Sequence, residues 1–159
     1  MKGWIEAAGT MISGIGTDDF ARELSGVLRA VVPFDYTVVF AYLGATRPMD
    51  LFDDFPVQKR KIFVEDYQEG PYLLDPFFLA CESQIESGLY RIRDLAPDRF
   101  FQGEYFRSYY ARTGLAEEVG FVIEMPGSVF VVVSMMRAEK PFSAKEFRQI
   151  LEVWPIIQA

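Results

Sequence analysis

Histidine is absent from the 159 residues. With it go the Ser/His/Asp triad, imidazole metal ligation and the side chain that ordinarily changes charge near neutral pH. Cysteine occurs once, at Cys81, which excludes an internal disulfide framework and fits a reducing cytoplasm, where the chain is expected to reside. Without a histidine base, that thiol reads as a buried structural residue and not a nucleophile. Basic residues are outnumbered: 16 Lys and Arg against 23 Asp and Glu give a net charge of −7. Nucleic-acid binding needs clustered cations that displace phosphate counterions. The one compact basic run, Lys59-Arg60-Lys61, reads as the solvated side of a helix. No hydrophobic run approaches the roughly 18 apolar residues of a membrane span. The start, Met1 to Glu6, carries an early acid and no cleavable apolar stretch, so neither a signal peptide nor membrane association is expected. Gly14-Ile15-Gly16 lacks the preceding strand and the later glycine of a phosphate loop, and nothing has zinc spacing. No cofactor and no metal are expected.

Aromatic residues are in surplus: 15 Phe, 8 Tyr and 2 Trp. They fill a core or line a cavity. The length fits one domain with a sizeable core. Residues 1–16 read as a short amphipathic helix around Trp4, Ile5 and Met11 followed by a flexible joint at Ser13–Gly16, and 17–157 as a single domain. Thr17 is expected to cap a helix through Val32, with Asp18 and Asp19 in its first turn and Phe20, Leu24, Val27, Leu28 and Val31 on its buried face. Tyr36–Leu43 is β-branched and aromatic on both faces, which predicts a central strand, and Met49–Phe52 a short partner.

The segment Phe63-Val-Glu-Asp-Tyr67-Gln-Glu-Gly-Pro-Tyr72-Leu-Leu-Asp75-Pro76 is the stretch around which the rest of the chain is organised. Phe63 and Tyr67 stand one helical turn apart on one face. Gly70-Pro71 ends that helix through a left-handed glycine, and Asp75-Pro76 opens the next as N-cap and first residue. The corner gathers three aromatic rings and one carboxylate, a wall for a largely apolar molecule with one polar handle. Phe77–Ser83 continues as a short helix, Gly88–Ile92 as a strand and Asp94–Asp98 as a polar turn. A helix over 101–112, ended by Gly114, carries Phe101, Tyr105 and Tyr109 on one stripe and Phe106 with Tyr110 on the next. Glu117–Ile123 and Val129–Met136 form a hairpin whose Pro126-Gly127 suits a type II turn. Ser143-Ala-Lys-Glu146 is a capping box with Phe142 and Phe147 as staple; Phe147, Ile150, Leu151 and Trp154 make that helix's buried stripe until Pro155. The order helix, strands, helices, strands, helix predicts an α/β/α sandwich around an antiparallel sheet of about five strands.

The corner resembles the ligand-binding corner of LuxR-type autoinducer-binding domains, where a tryptophan, a tyrosine and the Asp-Pro aspartate hydrogen-bond an acyl-homoserine lactone. Thr113-Gly-Leu-Ala-Glu-Glu-Val-Gly-Phe121, the hairpin and Pro141-Phe-Ser143 are also similar to that family. The resemblance covers roughly residues 60–154 and implies a GAF-like (GAF/PAS-like) fold, a small-molecule effector, a homodimer and a transcription-regulating role in bacterial signalling. Two positions differ from the family pattern: Phe63 stands where it has tryptophan, and the Tyr72–Asp75 step is one residue shorter. Phe63 has no indole N–H, so the effector is expected not to be an acyl-homoserine lactone but an aromatic or amide-bearing molecule. The helix-turn-helix domain that follows the sensor in that family is not among these residues, so DNA contact is expected only through such a domain.

Two functional readings stand. In the first the chain is the effector-binding part of a LuxR-type regulator, with ligand contacts from Phe63, Tyr67, Tyr72 and Asp75 at the corner, Phe40 and Tyr42 on the strand, and Phe101 and Tyr105 on the aromatic helix. In the second it is a GAF/PAS-like dimerisation or protein-interaction module without a metabolite. An enzyme is not expected. The remaining catalytic option is a buried carboxylate base, for which Asp75, Glu82 or Glu118 would serve, while Asp53-Asp54 reads as loop solvation.

Overall fold

The β-branched and aromatic runs all become strands in the computed structural model, which describes residues 2–96 and 100–159. Strands β1 (Tyr36–Leu43), β2 (Met49–Asp53), β3 (Gly88–Arg91), β4 (Glu117–Met125) and β5 (Val129–Arg137) form one antiparallel sheet in the order β2-β1-β5-β4-β3. The two runs that are apolar on both faces, β1 and β5, pair with each other along their length, from Tyr36↔Met136 to Leu43↔Val129. β5 is therefore the middle strand, as two-sided burial requires. The β4–β5 hairpin closes through Pro126-Gly127-Ser128, with φ of 84° at Gly127, the value a type II turn demands at that position.

The chain divides into two compact units, Met1–Asp35 with Phe142–Ala159, and Tyr36–Pro141. In the first, α1 (Lys2–Ser13) packs on α2 (Phe20–Val31), and α2 meets α7 (Ala144–Leu151), which α8 (Trp154–Ile157) follows. Leu24, Val27 and Leu28 are the buried face of α2. Ser143 and Glu146 make the expected reciprocal capping box at the start of α7. Thr17 caps no helix directly: its hydroxyl accepts the Asp19 N–H within a lead-in turn, and α2 begins three residues later. The terminal stripe also differs from expectation. The helix breaks after Leu151, so Val153 is buried while Leu151 is 44 % exposed and Trp154 starts a new helix with Pro155 in its first turn.

In the second unit a helical layer covers one face of the sheet. It comprises α3 (Val57–Arg60) running into a π-helical segment (Lys61–Asp66), a 3₁₀ turn (Pro71–Leu74), α4 (Pro76–Glu82), α5 (Ile92–Leu95), a 3₁₀ turn (Phe100–Gln102), and a second π segment (Phe106–Tyr110) leading into α6 (Ala111–Thr113). Gly114 ends α6 with φ of 72°. Gly70 has φ of 165°, extended and not left-handed; the helix stops because Pro71 opens the 3₁₀ turn. The polar turn expected at 94–98 is instead helical over Ile92–Leu95, and its Pro97-Asp98 end lies outside the described residues. Gly120 admits this layer: a β-carbon there would lie 2.9 Å from the Phe77 ring.

Candidate functional site

The pairing register decides which side chains face the helical layer. Val38, Phe40 and Tyr42 of β1 stand beside Ser134, Val132 and Phe130 of β5, and Glu118 pairs with Met136. From the helices come Phe63 and Tyr67, held at the first π segment, and Tyr105, Tyr109 and Tyr110, held at the second. A π turn holds one more residue than an α turn, so side chains at 105, 109 and 110 all reach one place. Together with Asp75, Thr113 and Leu115 these residues enclose a cavity of about 20 Å³. That is room for one water-sized group.

Asp75 is buried and holds two roles at once. Its Oδ1 accepts the Phe77 N–H at 2.9 Å as N-cap of α4, while its Oδ2 accepts the Tyr67 hydroxyl at 2.5 Å. Tyr67 gives its one proton to Asp75, so Tyr42, 2.7 Å away, donates to Tyr67. Burial pushes the Asp75 carboxyl up to about 6, although the hydrogen bonds from the Tyr67 hydroxyl and the Phe77 N–H favour its charged form. Glu118, on the sheet side, is lifted further, to about 8, by burial first and by the Asp75 charge second; a hydrogen bond with Ser134 opposes the rise. Tyr42, Tyr67, Tyr105 and Tyr110 are all raised well above 10, burial again leading and the Asp75 charge adding to each. Among the described residues no Lys or Arg lines the cavity. The neighbouring acid, Glu117, points to the other face and meets Arg91 at 2.7 Å and Arg93 at 3.0 Å. The strand thus separates a paired acid from one that no cation pairs among the described residues.

Of the residues singled out by sequence, Phe40, Tyr42, Phe63, Tyr67, Asp75 and Tyr105 line the cavity. Tyr72 does not; half-buried, it packs edge-on against Phe78 at 5.3 Å and Tyr67 at 6.3 Å. Phe101 is 55 % exposed, because Phe100 takes the inward position in the 3₁₀ turn. Glu82 is exposed. The sequence reading missed Tyr109 and Tyr110 as lining residues, since an α-helical period places them on different stripes. Glu118 had one signal, two adjacent acids inside an apolar strand. Cys81 is buried with its thiol pushed up to about 12 by burial and the Asp75 charge, which fits an inert thiol. A larger cleft of about 350 Å³ lies among Leu43 to Thr46, Cys81, Glu82, Gln84, Ser128 and Phe130, and Tyr42 lines both spaces.

No sequence-family description matches the chain. Nor does any curated protein match it. Solved structures narrow the class. The ligand-binding domain of VqsR from Pseudomonas aeruginosa superposes with a TM-score of 0.80 at 23 % identity over 97 % of this chain and 91 % of that one. The N-acylhomoserine lactone-dependent LuxR-family transcription factor CepR2 from Burkholderia cenocepacia gives 0.66 at 15 % identity, covering 94 % and 87 %. Escherichia coli SdiA gives 0.59 at 17 % identity, covering 93 % of this chain and 64 % of SdiA. The chain has the fold of the ligand-binding domains of LuxR-type regulators. Among the described residues no helix is long and apolar enough to cross a membrane.

Proposed function

We propose that this chain is the effector-sensing domain of a LuxR-type transcription regulator, without catalytic activity, which works as a homodimer and binds a small molecule at the Tyr42–Tyr67–Asp75 cavity. The observation that carries the reading is a polar group left over in a closed aromatic site. The Tyr110 hydroxyl is buried, lines the cavity and has no hydrogen-bond partner among the described residues. A native core leaves few such groups; a ligand-binding site keeps them for the ligand. The cavity admits only a water-sized group, whereas sites for drug-sized ligands run to roughly 300–1,000 Å³. Tyr42 also lines the larger cleft, and in this reading its side chain moves aside to admit a larger ligand. Native mass spectrometry of the purified chain tests this: a discrete mass above that of the polypeptide, lost on denaturation, is expected. A bare mass, together with no thermal shift from any of a broad metabolite set, overturns it.

The second reading, a dimerisation module without a metabolite, is favoured by one observation, the near-complete filling of the cavity by aromatic side chains. It requires that Tyr110→Phe leave every property of the protein intact, apart from a small gain in stability.

A further inference from the structure

The chemistry of the cavity goes further than the sensor reading on which this inference rests. Four of the hydrogen-bond donors facing it are committed. Tyr42 donates to Tyr67 and Tyr67 to Asp75. Tyr109 donates to the Ile62 carbonyl at 3.0 Å, and Thr113 to the Tyr110 carbonyl at 2.6 Å. Two carboxyl groups, Asp75 and Glu118, border a cavity that no described Lys or Arg lines, and the unpartnered Tyr110 hydroxyl beside them can give or take a hydrogen bond. The ring faces around them carry negative quadrupole charge and favour a cation. An ammonium group brings three donors and the positive charge that a cavity bordered by two acids lacks. Its size also matches a space of about 20 Å³.

We infer that the effector is an amine, whose compact primary ammonium head is held between Glu118 and Asp75, with its body directed past Tyr42. A cation there replaces the protons that the two buried acids otherwise compete for, so both carboxylates gain a partner at one step. Glu117 supplies the internal contrast, since its two arginines already do on the other face what the amine does on this one.

The test is a thermal-shift and calorimetric comparison on the full chain, using methylamine, n-hexylamine and 2-phenylethylamine hydrochlorides against methanol, n-hexanol and 2-phenylethanol at matched sodium chloride. At least one amine is expected to raise the melting temperature where its alcohol does not. Its affinity is expected to fall about tenfold to a hundredfold in Glu118→Gln, the loss of one charge-assisted hydrogen bond. Melting of each variant without ligand reports its folding, and Asp75→Asn, which keeps a helix-capping side chain, provides a second variant. A shift given equally by the alcohols, or kept in both variants, overturns the amine assignment while leaving the sensor reading intact. No shift with any amine overturns it as well, and the mass-spectrometric result then judges the sensor reading separately.

Discussion

Glu118→Gln is expected to stabilise the protein, and by an amount that grows with pH. Burial raises the Glu118 carboxyl from its ordinary 4.5 to about 8. The folded chain therefore holds this proton more tightly than the unfolded chain does. For an acid raised in this way the favourable contribution is complete below about 4.5 and is lost as pH climbs through to about 8. At 1.36 kcal/mol per pKa unit, wild type at pH 7 gives up about 3 kcal/mol relative to acid conditions, and about 5 kcal/mol at pH 9. Glutamine has the same shape and no proton to lose, and its amide oxygen keeps an acceptor for the Ser134 hydroxyl. The difference between variant and wild type should run from near zero at pH 4 to about 3 kcal/mol at pH 7. For a domain of this length that is about 6–12 °C in Tm. Urea midpoints of both proteins measured from pH 4 to 9 give the curve directly. Asp75, raised to about 6 by its burial, titrates in both proteins, and its charge is one of the causes that raise Glu118 in the wild type. A difference that stays flat across this range, or a variant less stable than wild type at pH 8.5, refutes the claim that Glu118 sits buried and unpaired by a cation.

Further expectations come from single contacts. Gly120→Ala puts a β-carbon 2.9 Å from the Phe77 ring, so it should cost about 1–3 kcal/mol by overpacking, read as a lower urea midpoint. Asp75→Ala removes the α4 cap and leaves the Tyr67 hydroxyl without its acceptor. A loss of about 1 kcal/mol for the first and about 1–3 kcal/mol for the second is expected, whereas Asp75→Asn should keep most of the capping share. Glu117→Ala removes the carboxylate that the largely buried Arg91 meets at 2.7 Å and should lower stability in thermal or urea denaturation. The isolated chain should give no salt-sensitive complex in a DNA gel shift, since its net charge is −7.

The parts of the fold legible from sequence are those governed by local rules. Two-sided apolarity placed β1 and β5 centrally, Pro126-Gly127 marked the hairpin, Ser143 and Glu146 the capping box, and Asp75-Pro76 the start of α4. The parts that failed depend on helical period. Of the stripe Phe101–Tyr105–Tyr109, Tyr105 and Tyr109 do face the cavity, but the π segment brings Tyr110 in beside them and the separate 3₁₀ turn leaves Phe101 facing solvent. The same weakness misplaced the end of the last stripe, because the break after Leu151 resets the helical phase and buries Val153 in place of Trp154. Glu118 was recognisable only as an acid in an apolar strand. Which of two adjacent acids meets arginines and which meets the cavity is decided by register with β3 and β5, a property of tertiary structure.

The eight tyrosines offer the most direct test of the sensor account. Tyr42, Tyr67, Tyr105, Tyr109 and Tyr110 line the cavity, while Tyr36, Tyr72 and Tyr90 do not. With tyrosine labelled by carbon-13 at the ring carbon bearing the hydroxyl, each residue reports separately in NMR once assigned by Tyr→Phe substitution. On addition of the compound identified by native mass spectrometry or by the amine series, the signals of Tyr42, Tyr67 and Tyr110 are expected to move most. The signals of Tyr36 and Tyr90 should stay in place. Shifts confined to Tyr36 or Tyr90, with the cavity tyrosines unchanged at saturation, would contradict the assignment of the effector site.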